Sequence, residues 1–124
     1  MRKKARELPP ILSHQWLDLV DLAMHRAIVR KIRKQPRLYK RANRTIARWE
    51  KRHGSSIVQW REWKEILRSK DMNTVLRLLI RDDDEGQRLR STAPFCGILS
   101  ESEMEAVQAR YDPKPTRKPA PQRG

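Results

Sequence analysis

The chain has little cysteine and little aromatic content. Cys96 is its single cysteine among 124 residues, and Phe, Trp and Tyr together make up 6%. One cysteine cannot form an intramolecular disulfide, and no Cys/His cluster has the spacing of a zinc site. We therefore expect a fold without disulfide or metal, no cofactor, and a reducing compartment.

Long hydrophobic runs are also absent. No stretch approaches the roughly 18 apolar residues of a membrane span. The basic N-terminus could begin a signal peptide, but Glu7, Pro9 and Pro10 leave no apolar segment behind it. These absences predict a cytoplasmic protein with no membrane partner.

Catalytic motifs are missing as well. The three histidines occur in three unrelated contexts, at His14, His25 and His53. Asp21 lies four residues before His25, which favours an intrahelical ion pair over a general base. Cys96 is interpreted as a packed loop residue that alkylates slowly, and the acids at 82–85 as a helix start, not a calcium loop. We predict that the protein is not an enzyme.

Positive charge is what the chain has in excess, and it is unevenly distributed. The formal net charge is +14. Residues 1–53 hold 16 Lys/Arg against 4 Asp/Glu, residues 54–112 hold 9 against 11, and residues 113–124 hold 4 against none. This asymmetry indicates an anionic partner, with nucleic acid the first candidate and an acidic protein the second.

Helical periodicity and turn residues predict an all-α fold, a compact bundle of five or six short helices over residues 13–112. Ser13 is expected to cap a first helix that stops before Pro36, and a second helix should run from Pro36 to a C-cap at Gly54. Ser55 or Ser56 should cap a third, which ends near Arg68.

The second half predicts shorter elements. A fourth helix should start at Asp71 or Asn73, and its apolar run 75–80 predicts the central buried helix, since no second strand-like segment could pair with it. The acids at 82–85 should either start a short helix that runs to Leu89 and Arg90 or form a solvated turn. Residues 91–99 should form a loop docked on the core, and Ser100 should open the last helix with a capping box. Residues 1–12 are interpreted as a flexible basic leader and 113–124 as a disordered, proline-rich basic tail.

Two predicted helices carry rows of arginine at helical spacing. In the second helix the basic residues recur at offsets 0, 4, 7, 11 and 15, while apolar residues occupy the other side. A soluble helix face usually mixes charges of both signs, whereas this one holds a single acid, Glu50. The candidate binding residues are Arg26, Arg30, Arg33, Arg37, Lys40, Arg41, Arg44, Arg48, Lys51 and Arg52.

Two further patterns stay open as alternatives. The second and third helices with their glycine turn could form a helix-turn-helix, whose reading side chains would be Gln59, Arg61, Lys64 and Arg68. The tryptophans could stack on nucleobases, but Trp49, Trp60 and Trp63 fall on apolar faces. Core packing is therefore the favoured interpretation for these three side chains.

Two segments resemble a family of small bacterial all-α proteins that look like components of toxin–antitoxin or mobile defence loci. They are residues 22–29 (LAMHRAIV) and 88–100 (RLRSTAPFCGILS), and the resemblance extends over residues 13 to about 107. Family members follow the final loop with Glu-Arg and an aromatic residue, whereas this chain has residues 103–105 (EME). The resemblance implies no catalytic residue. It favours a nucleic-acid-binding accessory or antitoxin-like regulator, with a protein-interaction module, an inhibitor or adaptor, as the alternative.

Overall fold

The computed structural model describes residues 8–112, and within this range the chain is all-helical with no strand. Six α-helices and one 3₁₀ helix follow each other along the chain. They are α1 (His14–Lys34), the 3₁₀ helix (Pro36–Lys40), α2 (Arg41–His53), α3 (Val58–Ser69), α4 (Met72–Leu79), α5 (Asp84–Arg90) and α6 (Glu101–Ala109). The predicted all-α class is confirmed. Most of the predicted basic leader and all of the predicted tail lie outside the described residues.

Several helix ends lie where local sequence chemistry places them. The Ser13 hydroxyl accepts a hydrogen bond from the Trp16 amide at 3.1 Å and caps α1. Gly54 ends α2 in the left-handed conformation, at φ +88°, which glycine adopts without steric cost. Ser100 and Glu103 form the reciprocal capping box that starts α6.

Two predicted helix starts are wrong. The second helix does not run continuously from Pro36, because residues 36–40 form a 3₁₀ turn in which the Leu38 amide donates to the Gln35 carbonyl at 2.9 Å. Arg37 therefore lies outside α2. Neither serine caps α3, which begins after Ile57, since the Ser56 hydroxyl donates instead to the Glu50 carboxylate at 2.6 Å.

The core is one cluster in which Trp63 is the largest fully buried side chain. Its indole Nε1 donates to the Leu89 carbonyl at 3.0 Å, which satisfies the ring's polar atom. Phe95 meets the Trp63 ring edge-on with centroids 5.9 Å apart. Phe95, Ile98 and Leu99 are all buried, so the 91–99 loop docks on the core as predicted.

The helix at the centre of the bundle is α1, not α4 as the sequence predicts. Helix α1 packs against α4, α5, α6 and the 3₁₀ helix, whereas α4 contacts α1, α3 and α5. Only one face of α4 is fully buried, through Val75, Leu76 and Leu79, while Asn73 and Arg77 are exposed. The central helix is also the longest of the described helices, with 21 residues.

The position of Cys96 differs from the one that the sequence predicts. Its neighbours Pro94 and Phe95 are buried, but the cysteine itself is exposed. The loop turns at Gly97, at φ +86°, and presents Cys96 to solvent. Cys96 is thus not a packed loop residue.

Candidate functional site

All ten candidate cations are exposed. Three lie on α1, two on the 3₁₀ helix and five on α2. The two short helical segments follow each other without a gap, so seven of the ten lie within 16 consecutive residues, 37–52. This stretch contains one acid, Glu50.

None of the ten cations forms an ion pair with a described carboxylate. The ion pairs of residues 8–112 use other basic side chains, namely Lys31, Lys64, Arg68, Arg81, Arg88 and Arg90. In the second half of the chain, therefore, acids neutralise much of the positive charge. On α2 the positive charge stays uncompensated.

The five cations of α2 form a continuous row, which we call the α2 cation row: Arg41, Arg44, Arg48, Lys51 and Arg52. At about 100° per residue they cover about 100° of the helix circumference, and at about 1.5 Å per residue they extend over about 16 Å. The buried positions Ala42, Thr45 and Ile46 lie on average about 120° away. The α2 cation row thus faces solvent while the opposite face packs on the core.

Glu50 does not neutralise this row. It lies about 150° around the helix from the row's mean direction, and its carboxylate accepts a hydrogen bond from Ser56 and pairs with Lys64 of α3 at 3.2 Å. The Ser56 hydrogen bond, aided by Lys64, lowers the pKa of Glu50. The one acid of α2 is therefore ionised but directed toward α3.

Three of the ten cations touch other parts of the molecule through neutral groups. Arg33 donates to Asn73 and Arg41 to the Gly97 carbonyl, each at 3.4 Å, and Arg37 donates to Gln35 at 3.0 Å. These contacts position the guanidinium groups without removing their charge. Through Arg41 the row reaches the 91–99 loop.

The α1 arginines have different surroundings from the α2 cation row. Arg26 borders a recess whose other wall carries three aspartates, residues 82–84. Arg30 borders a groove between α1 and α6 whose one acid, Glu103, is paired with Lys31. Acids therefore oppose the field of Arg26, whereas Arg30 stands apart from the α2 cation row on another helix.

An aromatic groove adjoins the C-terminal end of the row. It is an open groove of about 470 Å³ between α2, α3 and the residues after α5, and is lined by Trp49, Arg52, His53, Trp60, Ser91 and Thr92. The Trp49 and Trp60 rings are 5.7 Å apart at a 36° tilt, and His53 meets Trp60 edge-on at 5.5 Å. We call it the tryptophan groove.

The structure divides the tryptophans into two classes. Trp16 and Trp63 are buried, which agrees with a core role. Trp49 and Trp60 are only half-buried and line the tryptophan groove, so the prediction that they are core anchors is wrong in part. Helical periodicity placed both tryptophans on the apolar faces of their helices. It could not show that the neighbouring elements leave part of the apolar face of α2 uncovered.

Most of the side chains that would read DNA in the helix-turn-helix alternative have partners within the protein. Lys64 is paired with Glu50, Arg68 with Glu65, and Arg61 donates to the Ser56 carbonyl at 2.9 Å. Only Gln59 keeps an exposed side chain without such a partner in the described region. Three of the four side chains therefore make contacts within the protein, and the helix-turn-helix stays a prediction.

His25 is a buried residue of α1 that lies beside the partly exposed Asp21. The Asp21 carbonyl lies 2.8 Å from His25 Nδ1, and an Asp21 carboxylate oxygen lies 3.4 Å from it. Burial lowers the pKa of His25, against the opposing effect of Asp21, and buried Arg90 lowers it further. A neutral, buried histidine held between these two residues has a structural role.

Comparisons with protein families, with curated proteins and with solved structures find no match to this chain. The family resemblance of residues 22–29 and 88–100 therefore stays a prediction. Among residues 8–112, no helix combines the length and apolar composition needed to cross a membrane. In the same range, no three His, Cys, Asp or Glu side chains are grouped so that they could hold a metal ion.

Proposed function

We propose that this protein binds nucleic acid, DNA in the first instance, through the α2 cation row, and that it acts without catalysis as an accessory or antitoxin-like regulator. The observation that carries the proposal is the row itself: five exposed cations over about 16 Å, none paired with a described acid. Arginine is suited to phosphate because its planar guanidinium donates two parallel hydrogen bonds.

The row is unfavourable for α2 in isolation, which supports a binding role. Its members recur at i+3 and i+4, where like charges cost a few tenths of a kcal/mol per pair. The first turn of α2 contains no acid, and Lys40 and Arg41 stand at the positive end of the helix dipole. A phosphate backbone would relieve both sources of repulsion. The resemblance of residues 22–29 and 88–100 to proteins of toxin–antitoxin loci agrees with a regulatory role.

The test replaces Arg41, Arg44, Arg48 and Lys51 by Gln, which spares the tryptophan groove. Binding to labelled DNA is measured by fluorescence anisotropy at low salt. We expect at least tenfold weaker binding with unchanged helical content, because only solvent-facing charges are removed.

The matched control replaces the same number of exposed cations elsewhere, Arg61, Lys70, Arg77 and Arg110, by Gln. Both variants lower the formal charge from +14 to +10, so net charge alone predicts equal losses. Equal losses in the two variants would contradict a localised interface. A wild-type protein that binds neither duplex nor single strands at low salt would favour the alternative, a module that docks its cationic face on an acidic protein.

A further inference from the structure

The tryptophan groove combines features of a binding site for one planar, partly polar group. Its volume of about 470 Å³ falls within the range of small-molecule pockets. Two half-buried indoles supply flat apolar surface, and Ser91 and Thr92 contribute polar side chains to the lining. A nucleobase has this combination of a flat π face and a polar edge.

The aromatic rings of the groove are fixed in place. Trp60 packs against the core, Trp49 contacts the Trp60 ring, and His53 abuts it edge-on. A ring that is already held loses little conformational entropy when a ligand stacks on it. The Ser91 hydroxyl donates to the Arg88 carbonyl at 2.7 Å, which leaves its oxygen free to accept a hydrogen bond.

The groove is continuous with the α2 cation row. Arg52 belongs to both, and Trp49 directly follows Arg48, about 100° further around the helix. In a nucleotide the phosphate and the base are joined through one sugar, so a strand lying along the row brings its bases close to the indoles. Single-strand binding proteins combine the same two elements, a basic track and stacking platforms.

We infer that the tryptophan groove receives an unstacked base of a single strand whose phosphates lie on the α2 cation row. This inference rests on the proposed function and narrows its ligand to single-stranded nucleic acid. In an intact duplex the bases are stacked and paired, so their faces are closed to an indole. The groove selects for strands in which that face is open.

The test compares two labelled strands of equal length and charge, an oligothymidylate of about twelve nucleotides and the same backbone with abasic sites. Stacking of one base on an indole predicts a preference for the base-bearing strand of about 5-fold to 150-fold. Trp49→Leu should abolish this preference while leaving the affinity for the abasic strand unchanged. Trp49→Phe, which restores a π face, should keep most of it.

Intrinsic fluorescence gives a second readout on the unmodified protein. Trp16 and Trp63 are buried, so quenching by a strand reports on Trp49 and Trp60. The oligothymidylate should quench and the abasic strand should not. This measurement needs no substitution, so it decides the matter even where the Trp49 variants fold poorly.

The possible outcomes distinguish a failure of this inference from a failure of the proposed function. If both strands bind equally and the Gln substitutions on α2 weaken both to the same extent, the base site is overturned. The proposal that phosphates bind the α2 cation row would then still stand. A preference that survives in Trp49→Leu would also overturn the base site. If both single strands fail to bind at low salt while a duplex binds, only the inference is overturned. If a duplex fails as well, the proposed function is overturned with it.

Discussion

The salt dependence of binding tests the α2 cation row quantitatively. On a single strand each neutralised phosphate contributes about −0.7 to the slope of log K against log[salt], and on duplex DNA about −0.9. Replacing Arg41, Arg44, Arg48 and Lys51 by Gln removes four such contacts. The slope of the variant should therefore be shallower than that of the wild type by about 2.8 on a single strand and about 3.6 on a duplex.

This difference has a large effect over an accessible range of salt. Between about 50 and about 200 mM salt the wild type should lose about 50-fold more affinity for a single strand than the variant does, and about 150-fold more for a duplex. Comparing slopes is more informative than comparing affinities, because cations elsewhere in the chain add equally to both proteins.

Anisotropy titrations at four or more salt concentrations measure both slopes. The control with Arg61, Lys70, Arg77 and Arg110 changed to Gln should keep the wild-type slope. The reasoning is refuted if the α2 variant differs from the wild type by less than about one unit, or if the control flattens the slope equally. A protein partner with an apolar centre and charged rim would instead lose mainly association rate with salt.

Three further predictions concern the fold around the site. Because Cys96 is exposed, its thiol should alkylate rapidly in the folded protein, and protection from alkylation would contradict the loop geometry. Cys96→Ser should change the free energy of unfolding by less than about 0.5 kcal/mol and should leave DNA binding in place. Gly86→Ala should destabilise by about 1 to 3 kcal/mol in urea unfolding, because the new Cβ would lie 2.1 Å from the Arg81 carbonyl oxygen, and an unchanged midpoint would show that α5 can shift. Burial lowers the pKa of His25 below 6.5, so the unfolded chain takes up a proton that the folded protein excludes. The free energy of unfolding should accordingly decrease as the pH is lowered from about 7.5 to about 5.5, and the decrease should be smaller in His25→Gln. Identical pH profiles of the two proteins would argue against a neutral buried imidazole.

Features fixed by neighbouring residues could be predicted from the sequence. Ser13, Gly54 and Ser100 cap their helices through groups at most four residues away, so the pattern contains all the partners. The burial of Phe95 and Leu99 could be predicted in the same way, because a loop with apolar side chains in a small protein has only the core to cover them.

Features that depend on residues distant in the sequence could not be predicted from it. Ser56 has the composition of an N-cap, but Glu50 competes for its hydroxyl from another helix. The central position of α1 depends on how α5 and α6 return across it, which periodicity does not encode. The tryptophan groove likewise needs Ser91 and Thr92 to meet Trp49 and Trp60, and no spacing rule links those two segments.

The distribution of ion pairs gives the strongest physical argument that α2 is a binding surface. Elsewhere in the described chain, nearby acids pair with several exposed cations and relieve repulsion, as they do for Arg68, Arg81 and Arg88. On α2 the only acid is turned toward Lys64, away from the row. The fold thus retains repulsion that a few substitutions would remove, a pattern typical of sites where function opposes stability. The Gln substitutions on α2 should therefore weaken DNA binding while leaving the thermal midpoint equal to or above that of the wild type, whereas a lower midpoint would show that the row stabilises the fold.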